Sequence, residues 1–197
     1  MKRYDRTYFD KWYRGRGRVH AEGEVERKVA LAVAAAEYFL RRKLRSVLDV
    51  GCGEGAWQPR LRALRPRLRY LGVDPSEYAV ARFGRERNLR RAGFDELASL
   101  HLDQPFDLVI CSDVLHYLPN DEIRRGLPEL VRLCGGVAYL EVLTADDEIV
   151  GDLEGLIRRP AAWYRRLFRS AGLRNGGPYL WIAPPILATA AELETNS

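Results

Sequence analysis

Residues 47–57 read Val-Leu-Asp-Val-Gly-Cys-Gly-Glu-Gly-Ala-Trp, with a glycine at every second position after a short, mostly apolar run. A strand that ends in such a turn brings its backbone close to a bound nucleotide. Glycine lacks the Cβ that blocks close approach, and it tolerates positive φ. The pattern predicts a nucleotide-type cofactor at the carboxyl end of a buried strand, and by itself leaves the cofactor open.

The flanking sequence alternates between strand and helix. Val25, Val29, Ala32, Val33, Ala36 and Leu40 recur at helical spacing and predict a helix over 22–44, with Arg41, Arg42 and Lys43 in its last turn at the negative end of the dipole. Strands are expected over 47–50, 68–74, 106–112, 137–143 and 179–183, and a weaker one near 95–100. Helices are expected over 57–64, ended by Pro66, over 75–91, over 120–133 and over 161–171. Asn120 is the expected cap of the 120–133 helix, Pro128 is expected to kink or split it, and Gly135-Gly136 to end it. Pro184-Pro185 and residues 192–197 read as loosely attached. Phe106–Ser112 is apolar on both alternating faces, so it is expected at the centre of the sheet. The architecture that follows is α/β: one doubly wound, mostly parallel sheet with helices on both faces.

A length of 197 residues suits one domain, and no internal repeat is present. The N-terminus lacks the apolar core of a signal peptide. The longest apolar run, 29–36, is far short of the roughly 20 residues that span a bilayer, so no membrane partner is expected. Cys52, Cys111 and Cys134 are few and widely spaced. They read as reduced thiols of a cytoplasmic protein, forming neither a disulfide framework nor a metal site. The net charge of +5 is unevenly spread. Residues 1–45 hold 13 Lys and Arg against 6 Asp and Glu, and the remainder 19 against 21. That basic quarter attracts an anionic partner on one reading and is a solvated helical face on the other.

Ligands of an open parallel sheet bind beyond the carboxyl ends of its strands, where the strand order reverses. This rule singles out the loop after Val50, the end of the second strand at Asp74, the segment near Asp95, and the segment after Ile110. Asp74 stands 21 residues beyond Gly53 and suits the two ribose hydroxyls of an adenosine, although Pro75 and Ser76 after it also allow a helix cap. Such an acid serves nicotinamide oxidoreductases as well. Asp49 and Glu54 separate the two cases, because carboxylates repel a pyrophosphate and attract a cofactor carrying an ammonium and a sulfonium.

VLDVGCGEGAW, then YLGVDPS, then FDLVICSDVLHYLP, in that order, resemble the class I S-adenosylmethionine-dependent methyltransferases over about residues 45–145, and weakly near the end of the chain. The resemblance implies a seven-stranded, mostly parallel sheet with an antiparallel strand near the C-terminus, for which YLWIA is the candidate. It implies S-adenosyl-L-methionine as cofactor. Asp49, Gly51, Cys52 and Gly53 would hold its methionine part, and Asp74 with Pro75 its ribose. Asp95 with Glu96 would meet its adenine, Asp103 being a rival, and Ser112 would line the cleft. The reaction would be in-line displacement of a methyl group from sulfur, in which the protein aligns the nucleophile and excludes water. His116 is the candidate general base, against a packing role among Val114, Leu115, Tyr117 and Leu118. Asp113, with Tyr8, Trp12 and Tyr13 from the leader, would face the acceptor.

The leader, residues 1–20, mixes aromatics with basic residues. It is read as a lid over the cofactor, an aromatic strip on the sheet, or an arm that stacks on bases. Residues 21–190 form the expected methyltransferase domain and 191–197 a loose tail. A small-molecule acceptor is the leading expectation, because the segment after Ile110 lacks the Asn/Asp-Pro-Pro-aromatic motif of base-amino methyltransferases. RNA or protein methylation and a non-catalytic cofactor-binding module are the alternatives. Oligomeric state leaves no mark on the sequence.

Overall fold

The central strands of the sheet bury both of their faces. Leu48 and Val50 point to one side and Val47 to the other; Val109 and Cys111 oppose Leu108 and Ile110; Ala138 and Leu140 oppose Val137 and Tyr139. Alternate side chains therefore feed two separate cores, as a parallel sheet requires. A computed structural model describes residues 4–14, 23–148 and 152–190. Among these, seven strands form one sheet in the order β3-β2-β1-β4-β5-β7-β6. The strands are β1 Ser46–Val50, β2 Arg69–Asp74, β3 Leu89–Arg91, β4 Phe106–Ser112, β5 Cys134–Glu141, β6 Arg174–Gly177 and β7 Leu180–Ile182. The pairs from β3 to β5 are parallel, and β7 runs antiparallel to both β5 and β6.

The helices are α1 Arg6–Phe9, continued by one wide turn Asp10–Arg14, then α2 Glu24–Leu40, α3 Trp57–Leu64, α4 Glu77–Arg87, α5 Asn120–Arg132, α6 Ala161–Ser170 and α7 Pro184–Leu187. Helices α2 and α3 cover one face of the sheet, with the partly buried Val80 and Phe83 of α4 packed on the same core. Helices α5 and α6 cover the other face, together with the short 3-10 helix Phe94–Leu100. No described helix is long and apolar enough to cross a membrane.

Several elements differ from the pattern-based expectation. Helix α2 stops at Leu40, because Arg41 turns left-handed at φ 52°, so Arg42 and Lys43 lie beyond it. Arg42 donates instead to both oxygens of Asp107, each at 2.7 Å. The 75–91 helix is shorter at both ends. Ser76 caps it through Ala79 N–H, and Asn88 ends it at φ 56°, which releases 89–91 as the third strand. Residues 94–100 are not a strand. Phe94 and Leu97, three apart, bury one face of a 3-10 helix whose start is tied by Glu96 accepting from Gly93 N–H. Pro128 lies on the exposed side of α5, which runs through it unbroken. Gly135 and Gly136 do not end that helix but lie in β5. A Cβ on Gly136 would stand 2.2 Å from the backbone oxygen of Asp107, so the irregular pairing of β5 with β4 there admits no side chain. Pro184-Pro185 opens α7, and β6 is a strand that periodicity does not predict. Residues 15–22, with the Gly15–Arg18 repeat of the leader, and the tail at 191–197 lie outside the described residues.

Candidate active site

The chain builds outward from β1 to β3 and then returns to lay β4 on the other side of β1. The reversal of strand order falls between β1 and β4, and the conserved geometry of such sheets puts a ligand crevice at their carboxyl ends. The glycine turn and the Ser112-Asp113-Val114 segment meet there. Gly51 (φ 72°), Gly53 (φ 54°) and Gly55 (φ 74°) all adopt left-handed backbone. A Cβ on Gly51 would collide with Val114 Cγ2 at 2.2 Å, so this glycine lets the two strand ends touch.

Asp74 fastens the turn from the side of β2. Its Oδ2 accepts Gly53 N–H at 2.7 Å, and its Oδ1 accepts Ser76 N–H at 2.8 Å. Gly51 N–H and Cys52 N–H both donate to Val73 O. Burial raises the Asp74 pKa against the pull of those two N–H donors. Asp49 faces the interior of the sheet, where it accepts the Tyr70 hydroxyl at 2.7 Å and is almost fully buried. Burial pushes its pKa up to about 7, opposed by the Tyr70 bond and reinforced by Asp74. Glu54 forms a two-pronged ion pair with Arg14, with 2.6 Å to each oxygen. One of the two carboxylates of the loop is thus matched by a cation, and the other holds its proton near neutrality. The loop carries less negative charge than its sequence suggests.

At the ends of β4 and β5, Ser112 Oγ donates to Glu141 Oε2 at 2.6 Å, and Lys28 Nζ of α2 reaches Glu141 Oε1 at 2.8 Å and Glu24 at 2.7 Å. Asp113, at φ 59°, has its pKa raised to about 7 by burial and by Glu141, against Lys28. Sequence patterning points to neither Lys28 nor Glu141, because α2 and β5 join them only in three dimensions.

Residues 4–14 pack against this site. Phe9 is 2% exposed; it stacks on Tyr78 at 5.8 Å, and its ring lies above Gly53. Tyr13 turns its hydroxyl inward, 3.7 Å from where a Gly53 Cβ would stand. Ser76 Oγ donates to Tyr4 O. Tyr8 is half-buried and meets Tyr4 and Phe9 edge to face at 5.0 and 5.4 Å, and Trp12, also half-buried, lies under Lys11 Nζ. Phe9, which no sequence argument selected, makes the closest approach to Gly53.

The remaining candidates lie at the rim or in the core. Asp95 accepts Arg125 at 2.9 Å and Glu96 caps its own turn, so both carboxylates are engaged on the outer side of the 3-10 helix. Pro75 is exposed, and the Cys52 thiol donates weakly to Gly53 O at 3.6 Å. His116 is fully buried, and its Nδ1 accepts Leu143 N–H at 3.2 Å. This bond ties the segment after β4 to the segment after β5.

The glycine turn, with no Cβ to fill its cradle, and the buried acid at the end of β2 fit the ribose and methionine parts of S-adenosylmethionine. The comparisons agree. A family model described as "Methyltransferase domain" matches residues 48–136. The tRNA U34 carboxymethyltransferase of Pasteurella multocida (strain Pm70) is 34% identical over 116 residues, which is 54% of this chain and 35% of that protein. The chain thus spans little more than a third of the curated relatives it matches. Among solved structures, the sugar N-methyltransferase KedS8 from Streptoalloteichus sp ATCC 53650 superposes with a TM-score of 0.65 at 19% identity, over 87% of this chain and 90% of that one. The magnesium protoporphyrin IX methyltransferase ChlM from Synechocystis PCC 6803, solved with S-adenosylhomocysteine, gives 0.59 at 20% identity, over 91% and 94%. Motifs, strand order and family model agree: residues 48–136 match a methyltransferase domain, and the sheet has the fold of the class I S-adenosylmethionine-dependent methyltransferases.

Proposed function

We propose that this chain transfers the methyl group of S-adenosylmethionine to an RNA acceptor, with residues 4–14 acting as a lid. The carrying observation for the transfer is the joint end of β1 and β2, where Asp74 holds Gly53 by its N–H. Bound there, S-adenosylmethionine supplies an electrophilic methyl group on a sulfonium. The chain's own residues orient and shield it: the Gly51–Gly55 turn gives close backbone approach, Asp74 accepts from the ribose, and Phe9 and Tyr13 exclude water. Orientation and exclusion of water lower the barrier by several kcal/mol without a dedicated base.

The RNA acceptor is supported by the likeness of 54% of the chain to a tRNA U34 carboxymethyltransferase. A cytoplasmic location goes with that acceptor.

A second reading, a small cationic amine as acceptor, is favoured by the phenols and acids at the mouth. Tyr117 donates to Asp152 O at 2.8 Å, and the fields of Asp152 and Asp113 act on Tyr4, Tyr8, Tyr13 and Tyr117. Aromatic faces with nearby carboxylates suit an ammonium. Incubation with methyl-labelled cofactor and either total tRNA or a panel of amines separates the two. Label that becomes RNase-sensitive supports RNA; label that stays with amines alone sinks it.

A further inference from the structure

Helix α6 divides cleanly into two faces. Tyr164 and Phe168 pack into the core beside Trp181, while Arg165, Arg166 and Arg169 face solvent. The helix ends in a left-handed Gly172 (φ 94°), with Gly172 N–H donating to Arg169 O and Leu173 N–H to Phe168 O. This closure folds the chain back, so Arg174, the first residue of β6, comes to lie beside the end of the helix. The four arginines, with Ala162 and Ser170, line an open hollow of about 660 Å³.

Two observations separate this hollow from an ordinary solvated face. Residues 158–174 contain six arginines and no Asp or Glu. Six arginines elsewhere, Arg14, Arg42, Arg60, Arg65, Arg125 and Arg132, pair closely with a carboxylate, although not every surface arginine does. None of the four in the hollow has a carboxylate at ion-pair distance among the described residues. Here like charges are gathered on one helix face and an edge strand, an arrangement that a polyanion relieves.

We propose that this hollow binds the phosphate backbone of an RNA. Arg165 and Arg169 stand one turn apart, about 6 Å along the axis, so guanidinium forks can engage successive phosphates in bidentate fashion. The start of α6 is tied to the segment after β4, where Ile157 N–H donates to His116 O at 2.8 Å and Arg159 donates to Leu115 O and Leu118 O. Arg174, paired through Ile182 with Val137, sets the hollow toward the amino end of β5. The identity of the polyanion rests on the RNA reading above.

The test uses the full chain and a fluorescein-labelled tRNA transcript, with anisotropy followed from low to high salt. The triple variant R165Q/R166Q/R169Q is expected to weaken binding at least tenfold and to lower the slope of log K against log salt by about 2 to 3, since each lost phosphate contact removes roughly 0.7 to 0.9. R174Q alone is expected to lower it by about 1. An unchanged thermal shift with S-adenosylhomocysteine establishes that the variants keep their fold. Equal affinity and slope in the triple variant overturn the proposal, as does arginine-dependent capture by anionic vesicles without RNA binding. RNA methylated as efficiently by the triple variant as by the parent also overturns it, while leaving the acceptor reading intact. Arginine-dependent RNA binding without methylation supports the surface and removes RNA as the acceptor.

Discussion

The ring of Phe9 lies over the backbone of Gly53: a Cβ built on that glycine would stand 3.1 Å from the ring's Cε1. In this arrangement the leader occupies the space above the turn that the resemblance assigns to the cofactor. Entry of the cofactor then requires Phe9 to move, and the free energy of that movement is subtracted from binding. Phe9→Ala is expected to destabilise the ligand-free protein by up to ~3 kcal/mol and to tighten S-adenosylhomocysteine binding by about three- to tenfold. Calorimetric titration with a parallel melt checks both. Weaker binding with an unchanged melt would mean that Phe9 packs on the cofactor instead of blocking it.

Asp74 serves two purposes in the ligand-free fold, accepting from Gly53 N–H and Ser76 N–H. In Asp74→Asn only one oxygen remains to accept, so one buried N–H loses its partner at a cost of about 1–3 kcal/mol. The expected outcome is a lower melting temperature together with at least a tenfold loss of S-adenosylhomocysteine affinity. The shift on adding ligand is the readout that a purely structural role would leave intact.

How far the sequence is legible depends on distance along the chain. Phe106–Ser112 is readable as the central strand because every residue from Phe106 to Cys111 is buried, and only a strand covered on both faces uses so continuous an apolar run. Residues 94–100 are not readable. In a run that short, burial of Phe94 and Leu97 is compatible with either period, and the deciding bond from Gly93 N–H to Glu96 is tertiary in its consequences. Gly135-Gly136 misleads because a glycine that ends a helix and one that admits a close strand pairing are the same letter. In the site, Asp49, Gly51, Gly53 and Asp74 lie at the strand ends where motif spacing puts them. Glu54 is a different matter: its partner Arg14 is 40 residues away in the leader, and no local pattern announces that its charge is neutralised. The α6 arginines disappear in a near-neutral sum over residues 46–197, since net charge records no clustering.

Gly126 marks the tightest contact between α5 and the 3-10 helix. A Cβ there would stand 2.3 Å from Phe94 O and 2.4 Å from Phe94 Cδ1. A backbone oxygen cannot swing aside as a side chain does, so Gly126→Ala must push the two elements apart. Overpacking of this kind costs about 1–3 kcal/mol, and for a chain of this size each kcal/mol lowers the melting temperature by roughly 2–4 °C. Thermal denaturation followed by circular dichroism checks it. A melting temperature equal to that of the parent would show that α5 slides freely over the 94–100 turn.

Asp49 gives the ligand-free protein a pH dependence of definite sign. Its carboxyl titrates near 3.8 when unfolded and at about 7 in the fold, raised first by burial, with the Tyr70 hydrogen bond opposing. The unfolded state therefore gives up this proton first as pH rises. The contribution of Asp49 is fully present below about pH 3.8 and is lost progressively as pH rises through 7. Asp113, also raised to about 7, adds a slope of the same sign. Asp49→Asn removes one of the two, so the stability difference between variant and parent should move in the variant's favour between pH 5 and pH 8. Denaturant midpoints measured across that range provide the check. A bound cation near Asp49 reverses the balance by favouring the ionised form, so S-adenosylmethionine should bind more tightly at pH 8 than at pH 6, and less so in Asp49→Asn. An affinity independent of pH in the parent would place Asp49 out of reach of the cofactor's charge.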